Sequence, residues 1–329
     1  MADQTLAADP TFADVLAARD LLTGRLPATP MWSYPMLDAA VGATVYVKHE
    51  NVQPTGAFKV RGGLTLLHSL TGEQRRRGLV SYSTGNHAQS LAYACAELGV
   101  RCRLVMPAGT PEGKVRAVRA WGASVLLDGA DMAVAQAVAE RLAATERALL
   151  VSPGDTPALL AGVGTAYLEI FEARPDLDLL VVPVGSGTGV AAATLVGAVL
   201  APRCRIVAVQ STAAPAAHDS WRAGSCVRRP IRTRVEGLAT GRGFPLPQRL
   251  IRGRLHDFHL VTDAQIVQAQ RLLATCAHTL AEGAGAAGLA AVLARPDGFA
   301  GRRVAVVCTG GNASAAEITS LGQTRTPDG

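Results

Sequence analysis

Leu179-Leu-Val-Val-Pro-Val-Gly-Ser-Gly-Thr-Gly-Val-Ala-Ala-Ala-Thr-Leu-Val-Gly-Ala-Val-Leu200 is the stretch whose reading decides the fold. It is the longest uncharged run in the chain, and its length invites a membrane-span reading. Its first half argues otherwise. Pro183, Gly185, Gly187 and Gly189 interrupt any continuous helix there. The β-rich run Leu179–Val184 reads as a strand, 185–189 as a glycine turn and 190–200 as a buried helix. A strand feeding a glycine turn and then a helix is the unit of a parallel α/β sheet.

The same alternation extends in both directions. Strands are expected at Thr44–Val47, Leu79–Tyr82, Cys102–Met106, Ser124–Leu127, Ile206–Gln210, Asp257–Val261 and Val304–Cys308. Helices fall between most of them. His87–Leu98 ends at Gly99, Glu112–Trp121 ends at Gly122, and Asp263–Cys276 has Thr262 or Asp263 as its cap. The fold class this predicts is α/β, with open, twisted, mostly parallel sheets covered by helices. No repeat period and no Pro/Ser-rich linker is visible, so two domains would require the chain to cross between them more than once.

Composition bounds the function. The 329 residues allow about two domains. Hydrophobic residues make up 49% and charged ones 18%, which suits a packed core and excludes disorder. Aromatics are only 4%, so Ala, Val and Leu must build that core. The net charge of +6 is modest. Its one Arg-rich stretch, Arg222 to Arg234, lacks interleaved aromatics and reads as a solvated face, so no nucleic-acid partner is expected. The six cysteines form no Cys-x-x-Cys pair and no zinc-like spacing. They read as free thiols in a reducing cytoplasm, and no metal is expected. Asp3, Asp9 and Asp14 head a terminus without a signal pattern, and no membrane association is expected.

Five segments carry chemistry. The chain has three lysines, Lys48, Lys59 and Lys114, against 29 arginines. Arginine cannot form an imine and lysine can, so a retained lysine is informative. Lys59 lies in Pro54-Thr-Gly-Ala-Phe-Lys-Val-Arg-Gly-Gly63, near a helix start expected about Phe58, where the helix dipole lowers an amine pKa. An ordinary solvent-facing lysine is the alternative. Gly185-Ser-Gly-Thr-Gly189 can cradle a phosphate at a helix N-terminus. A dinucleotide fingerprint would need glycine where Val190 stands, and an acid where Gln210 ends the next strand. Ser83-Thr-Gly-Asn-His87 follows a strand and can bind a carboxylate or simply cap a helix. Cys308-Thr-Gly-Gly-Asn312 offers a strand-end hydroxyl, or only a turn. Glu282-Gly-Ala-Gly-Ala-Ala287 allows close packing against a flat ligand or another helix.

The order and content of these segments, with Lys48-His-Glu-Asn51 and Glu236-Gly-Leu-Ala239, resemble the fold-type II pyridoxal-5′-phosphate (PLP) enzymes from about residue 27 to 315. Within them the chain is similar to the threonine/serine ammonia-lyase (dehydratase) family. The resemblance implies two α/β domains with the cofactor between them: residues 1–50 and 151–329 as the large PLP-binding domain, and 51–150 as a small mobile one. It implies that Lys59 forms the Schiff base and takes the Cα proton. Phe58 would pack near the ring, and Asn86 would bond the ring's 3′-oxygen. Gly185, Ser186, Gly187, Thr188 and Gly189 would hold the phosphate. Thr309 would face the pyridine nitrogen, and Gly237 and Glu282 would lie beside the ring. Ser83, Thr84, Gly85, Asn86 and His87 would bind the substrate. The implied reaction is deamination of L-threonine or L-serine to a 2-oxo acid and ammonia by a cytoplasmic homodimer.

Two departures keep alternatives open. Thr84 stands where many dehydratases have Ala and serine racemases have Ser, so a racemase with Thr84 as a second catalytic group is one alternative. An ammonia-lyase for another β-hydroxy amino acid, such as 3-hydroxyaspartate, is another. Gln210-Ser-Thr-Ala-Ala-Pro215 lacks the acids of a racemase-type cation site. The short stretch after Asn312 leaves no length for an appended regulatory domain, which implies an unregulated enzyme.

Overall fold

The structure, a computed structural model, describes residues 8–322; Asp3 lies outside them. Among the described residues, ten strands form two sheets. They are β1 (Met31–Ser33), β2 (Thr44–His49), β3 (Leu79–Tyr82), β4 (Cys102–Met106), β5 (Ser124–Leu127), β6 (Leu149–Val151), β7 (Leu179–Pro183), β8 (Arg205–Ser211), β9 (Asp257–Val261) and β10 (Arg303–Cys308). The larger sheet runs β1-β2-β10-β7-β8-β9, and the smaller runs β5-β4-β3-β6. Only the β1–β2 pair is antiparallel; the other neighbours are parallel. This is the two-domain, mostly parallel α/β architecture.

Leu179–Leu200 folds as read: β7, a turn, and the helix Thr188–Leu200, which begins two residues earlier than expected. Among the described residues, no helix is long and apolar enough to cross a membrane. The core relies on small side chains. The helix Gly283–Ala294 is buried along most of its length and brings Gly288 within van der Waals reach of β7 and β10. β1 and β6 were not foreseen. The helix expected to end at Trp121 stops at Arg119, and a turn carries the chain to Gly122 at φ +82°.

Topology positions the site. In the larger sheet the chain steps outward from β7 to β8 and β9, then returns to place β10 on the other side of β7. In the smaller sheet it steps from β3 to β4 and β5, then returns to place β6 beside β3. Each reversal opens a crevice at the carboxyl ends of its central strands, where parallel sheets bind ligands. The loops leaving β3, β6, β7 and β10 all reach one cavity between the two sheets.

Candidate active site

The cavity has a volume of about 630 Å³. Phe58, Lys59, Ser83, Thr84, Gly85, Asn86, His87, Gly185, Ser186, Gly187, Thr188, Gly189, Gly237, Glu282 and Thr309 all line it. Residues from six separated segments therefore meet in one place.

Lys59 is the first residue of the helix Lys59–Ser69. Its Nζ donates to Thr188 Oγ1 at 2.5 Å and lies 3.4 Å from Ser186 Oγ. Burial pulls its amine down to about 8. The other two lysines are differently placed. Lys48 is buried against Glu169 at 2.5 Å and the Thr29 carbonyl at 2.8 Å, and Lys114 is ion-paired with Glu236. Among the described residues, Lys59 is thus the lysine whose amine faces hydroxyls and no carboxylate. An amine left without a counter-charge stays neutral, and so nucleophilic, at lower pH.

The turn after β7 is shaped for an anion. Gly187 sits at φ +92°, a left-handed conformation that glycine adopts without strain. A Cβ on Gly185 would lie 2.2 Å from the Gly237 carbonyl oxygen, so only glycine allows the two segments to touch. Among the described residues, no amide of 185–189 donates to a protein acceptor. Those free N–H groups, at the positive end of the helix Thr188–Leu200, suit a phosphate. Opposite, the Thr309 backbone carbonyl accepts from Phe58 N at 3.0 Å, which ties β10 to the Lys59 helix.

Asn86 opens the helix Asn86–Leu98 and is held from two sides. Its Nδ2 donates to Glu282 at 2.6 Å, and its Oδ1 accepts from Asn312 Nδ2 at 2.8 Å. Burial raises the Glu282 carboxyl to about 7, against the Asn86 hydrogen bond. His87 turns its Nε2 to Ser81 Oγ at 3.0 Å. Burial, with the nearby Lys59 amine, holds it near 3, so its ring is neutral.

Beneath Lys59 lies a buried ionic cluster. Arg61 meets Glu50 through Nε at 2.8 Å and Glu169 through Nη1 at 2.7 Å, while Thr29 Oγ1 donates to Glu50 at 2.6 Å. Lys48 completes it through Glu169. The cluster ties the first turn of the Lys59 helix to β2 and to the helix Pro157–Ala173.

Sequence reading missed several cavity residues. Asn312 sat in a quoted motif without a role. Tyr82, Lys114, Glu236 and Arg242 also line the cavity; Glu236 sat in a quoted stretch without a role, and Lys114 and Arg242 come from segments with no motif of their own. Only the rarity of lysine could have singled out Lys114.

The residues fit PLP. The glycine turn would hold its phosphate, Lys59 its aldehyde carbon, Asn86 its 3′-oxygen and Thr309 its ring nitrogen. The comparisons agree. The family described as "Pyridoxal-phosphate dependent enzyme" matches residues 22–310. The chain is 34% identical over 305 residues to the L-threonine ammonia-lyase of Thermotoga maritima, covering 92% of this chain and 75% of that one. It is 31% identical over 313 residues to the L-threo-3-hydroxyaspartate ammonia-lyase of Saccharomyces cerevisiae, covering 95% and 96%. Among solved structures, maize serine racemase superposes with a TM-score of 0.89 at 27% identity, covering 95% of this chain and 97% of that one. With that model matching most of its length, the chain belongs to the pyridoxal-phosphate dependent enzyme family.

Proposed function

We propose that this chain is an ammonia-lyase that carries out β-elimination on a β-hydroxy amino acid, L-threonine or L-serine, giving the 2-oxo acid and ammonia. The observation that carries the reading is the Lys59 amine, buried beside the phosphate turn without a carboxylate partner. When bound, PLP supplies the electron withdrawal that acidifies the Cα–H bond of the amino acid joined to it. Lys59 Nζ holds the cofactor and then accepts the Cα proton. Ser83, Thr84 and Gly85, at the carboxyl end of β3, bind the substrate carboxylate. The Cβ–oxygen bond breaks, and the hydroxyl takes up the proton held on Lys59 Nζ and leaves as water. The released enamine then takes up water to give the 2-oxo acid and ammonia. Thr309 offers the ring nitrogen a neutral hydroxyl, which suits an elimination whose leaving group removes charge promptly.

The 51–150 unit would close over the substrate, and the Lys114–Glu236 pair supports this by joining the helix Glu112–Arg119 to the 236–238 turn at the cavity. We extend the reading to a cytoplasmic homodimer, which sedimentation of the purified protein and cell fractionation test.

Coupled detection of 2-oxo acid and ammonia from L-threonine and L-serine tests the proposal. Stoichiometric production of both, abolished in Lys59→Ala, is expected; no product from either amino acid would refute it. The Thr84 hydroxyl in the same cavity favours racemisation as a second reading. Chiral analysis of recovered serine, with Thr84→Ala beside the wild type, separates the two.

A further inference from the structure

One charge in the cavity is left over once the proposed reaction has been supplied. Arg242 lines the cavity on the loop that follows Gly237, and its guanidinium stacks on the Phe244 ring at 4.3 Å. Among the described residues, the only carboxylate within ion-pair distance is Asp155, at 3.9 Å. That is too long for a hydrogen bond. Asp155 is otherwise engaged, accepting from Leu246 N at 3.1 Å and Ser152 Oγ at 3.4 Å. The guanidinium also lies beside the Tyr82 hydroxyl, one residue before the Ser83–Gly85 loop.

A second observation points the same way. Arg228 and Arg242 form an antiparallel bridge, and both line the cavity. Bridged residues project to the same side of a two-stranded ribbon, and like charges directly opposite each other destabilise it. The neighbouring cations are already matched: Lys114 with Glu236, and Arg229 with Asp219. The Arg242 side chain is 26% exposed, so water screens it only in part. Asp155, beyond hydrogen-bond reach and bonded elsewhere, is the carboxylate nearest Arg242, and the arginine pair faces the cavity.

We propose that Arg242, with Arg228 at its side, binds a second carboxylate carried on Cβ of the substrate. The preferred substrates are then β-hydroxy amino acids with an acidic side chain, of which 3-hydroxyaspartate is the smallest. This rests on the β-elimination reading and narrows its substrate class. Threonine and serine place only a methyl group or a hydrogen where the arginine waits, and so leave a partly exposed guanidinium, whose nearest carboxylate is 3.9 Å away, without the contact that an acidic side chain would add.

Two measurements on the holoenzyme test it. The first is the ratio of kcat/KM for threo-3-hydroxyaspartate to that for L-serine. A ratio above one is expected, falling about 10- to 100-fold in Arg242→Gln, as losing a charge-assisted contact implies. Arg242→Lys, which keeps the charge, retains part of the preference. A ratio at or below one in the wild type, or one untouched by Arg242→Gln, overturns the proposal while leaving elimination itself intact. The second measurement needs no elimination. L-Aspartate and L-alanine lack a β-hydroxyl, and their binding is followed by the cofactor's absorption. Tighter binding of aspartate, lost in Arg242→Gln, supports the proposal even if no β-hydroxy amino acid reacts. Equal binding of the two overturns it.

Discussion

Lys59 owes its chemistry to where its charge has been left. Lys48 and Lys114 are ion-paired with carboxylates, whereas burial alone acts on Lys59 and brings its amine from 10.5 down to about 8. Below that value the amine carries a proton and cannot attack a carbonyl; above it the lone pair is free. Recombination of cofactor-free protein with PLP, timed by stopped-flow absorption, should therefore accelerate with pH up to about 8 and level off there. A rate still climbing towards pH 10 would mean an unperturbed lysine. At this scale the sequence was informative where a residue type was rare or sat in a motif. Lys59 stood out among 29 arginines, and Asn86 and Thr309 sat in motifs that follow strands. Arg242 did not stand out, because one arginine among so many carries no signal until folding sets it beside Arg228 and Tyr82.

The decisive element is the turn between β7 and the helix Thr188–Leu200. It works because its backbone can lie against the 237 segment, with Gly185 admitting the Gly237 carbonyl where a methyl group would stand 2.2 Å away. Gly185→Ala should weaken PLP binding roughly 10-fold or more, about 1.4 kcal/mol at least, in an absorption or fluorescence titration. Circular dichroism should show the fold retained; unchanged affinity would remove the turn from the phosphate site. Elements were legible in proportion to their pattern. β3, β4, β5 and β9 fall where alternation and flanking turns place them. β1 and β6 are three residues each, too short to show any period, and they exist because a neighbouring strand pairs with them. The helix Glu112–Arg119 ends before its glycine because its last apolar residue, Trp121, packs edge-on against Tyr93 from the turn instead.

The described residues form two sheets whose reversals of strand order face each other, with the cavity where the loops meet. Alternating strands and helices announced the parallel sheets, but strand order, and hence the crevices, depends on pairings between residues far apart in the chain. What anchors the Lys59 helix between the sheets is the Arg61 cluster. Removing Glu50 would leave the buried Arg61 and Lys48 sharing the partly exposed Glu169. Glu50→Ala should cost about 3–5 kcal/mol, the usual penalty for breaking a buried pair, in denaturant unfolding of the cofactor-free protein. A loss under about 1 kcal/mol would show the cluster to be solvated. The central claim is that this architecture exists to present one amine to PLP. Borohydride reduction of the PLP-loaded protein followed by peptide mass spectrometry tests it directly, because only three lysines can respond. A pyridoxyl adduct on the peptide containing Lys59, with loss of the visible absorption, is the predicted result. No adduct, or an adduct on Lys48 or Lys114 instead, would contradict the account.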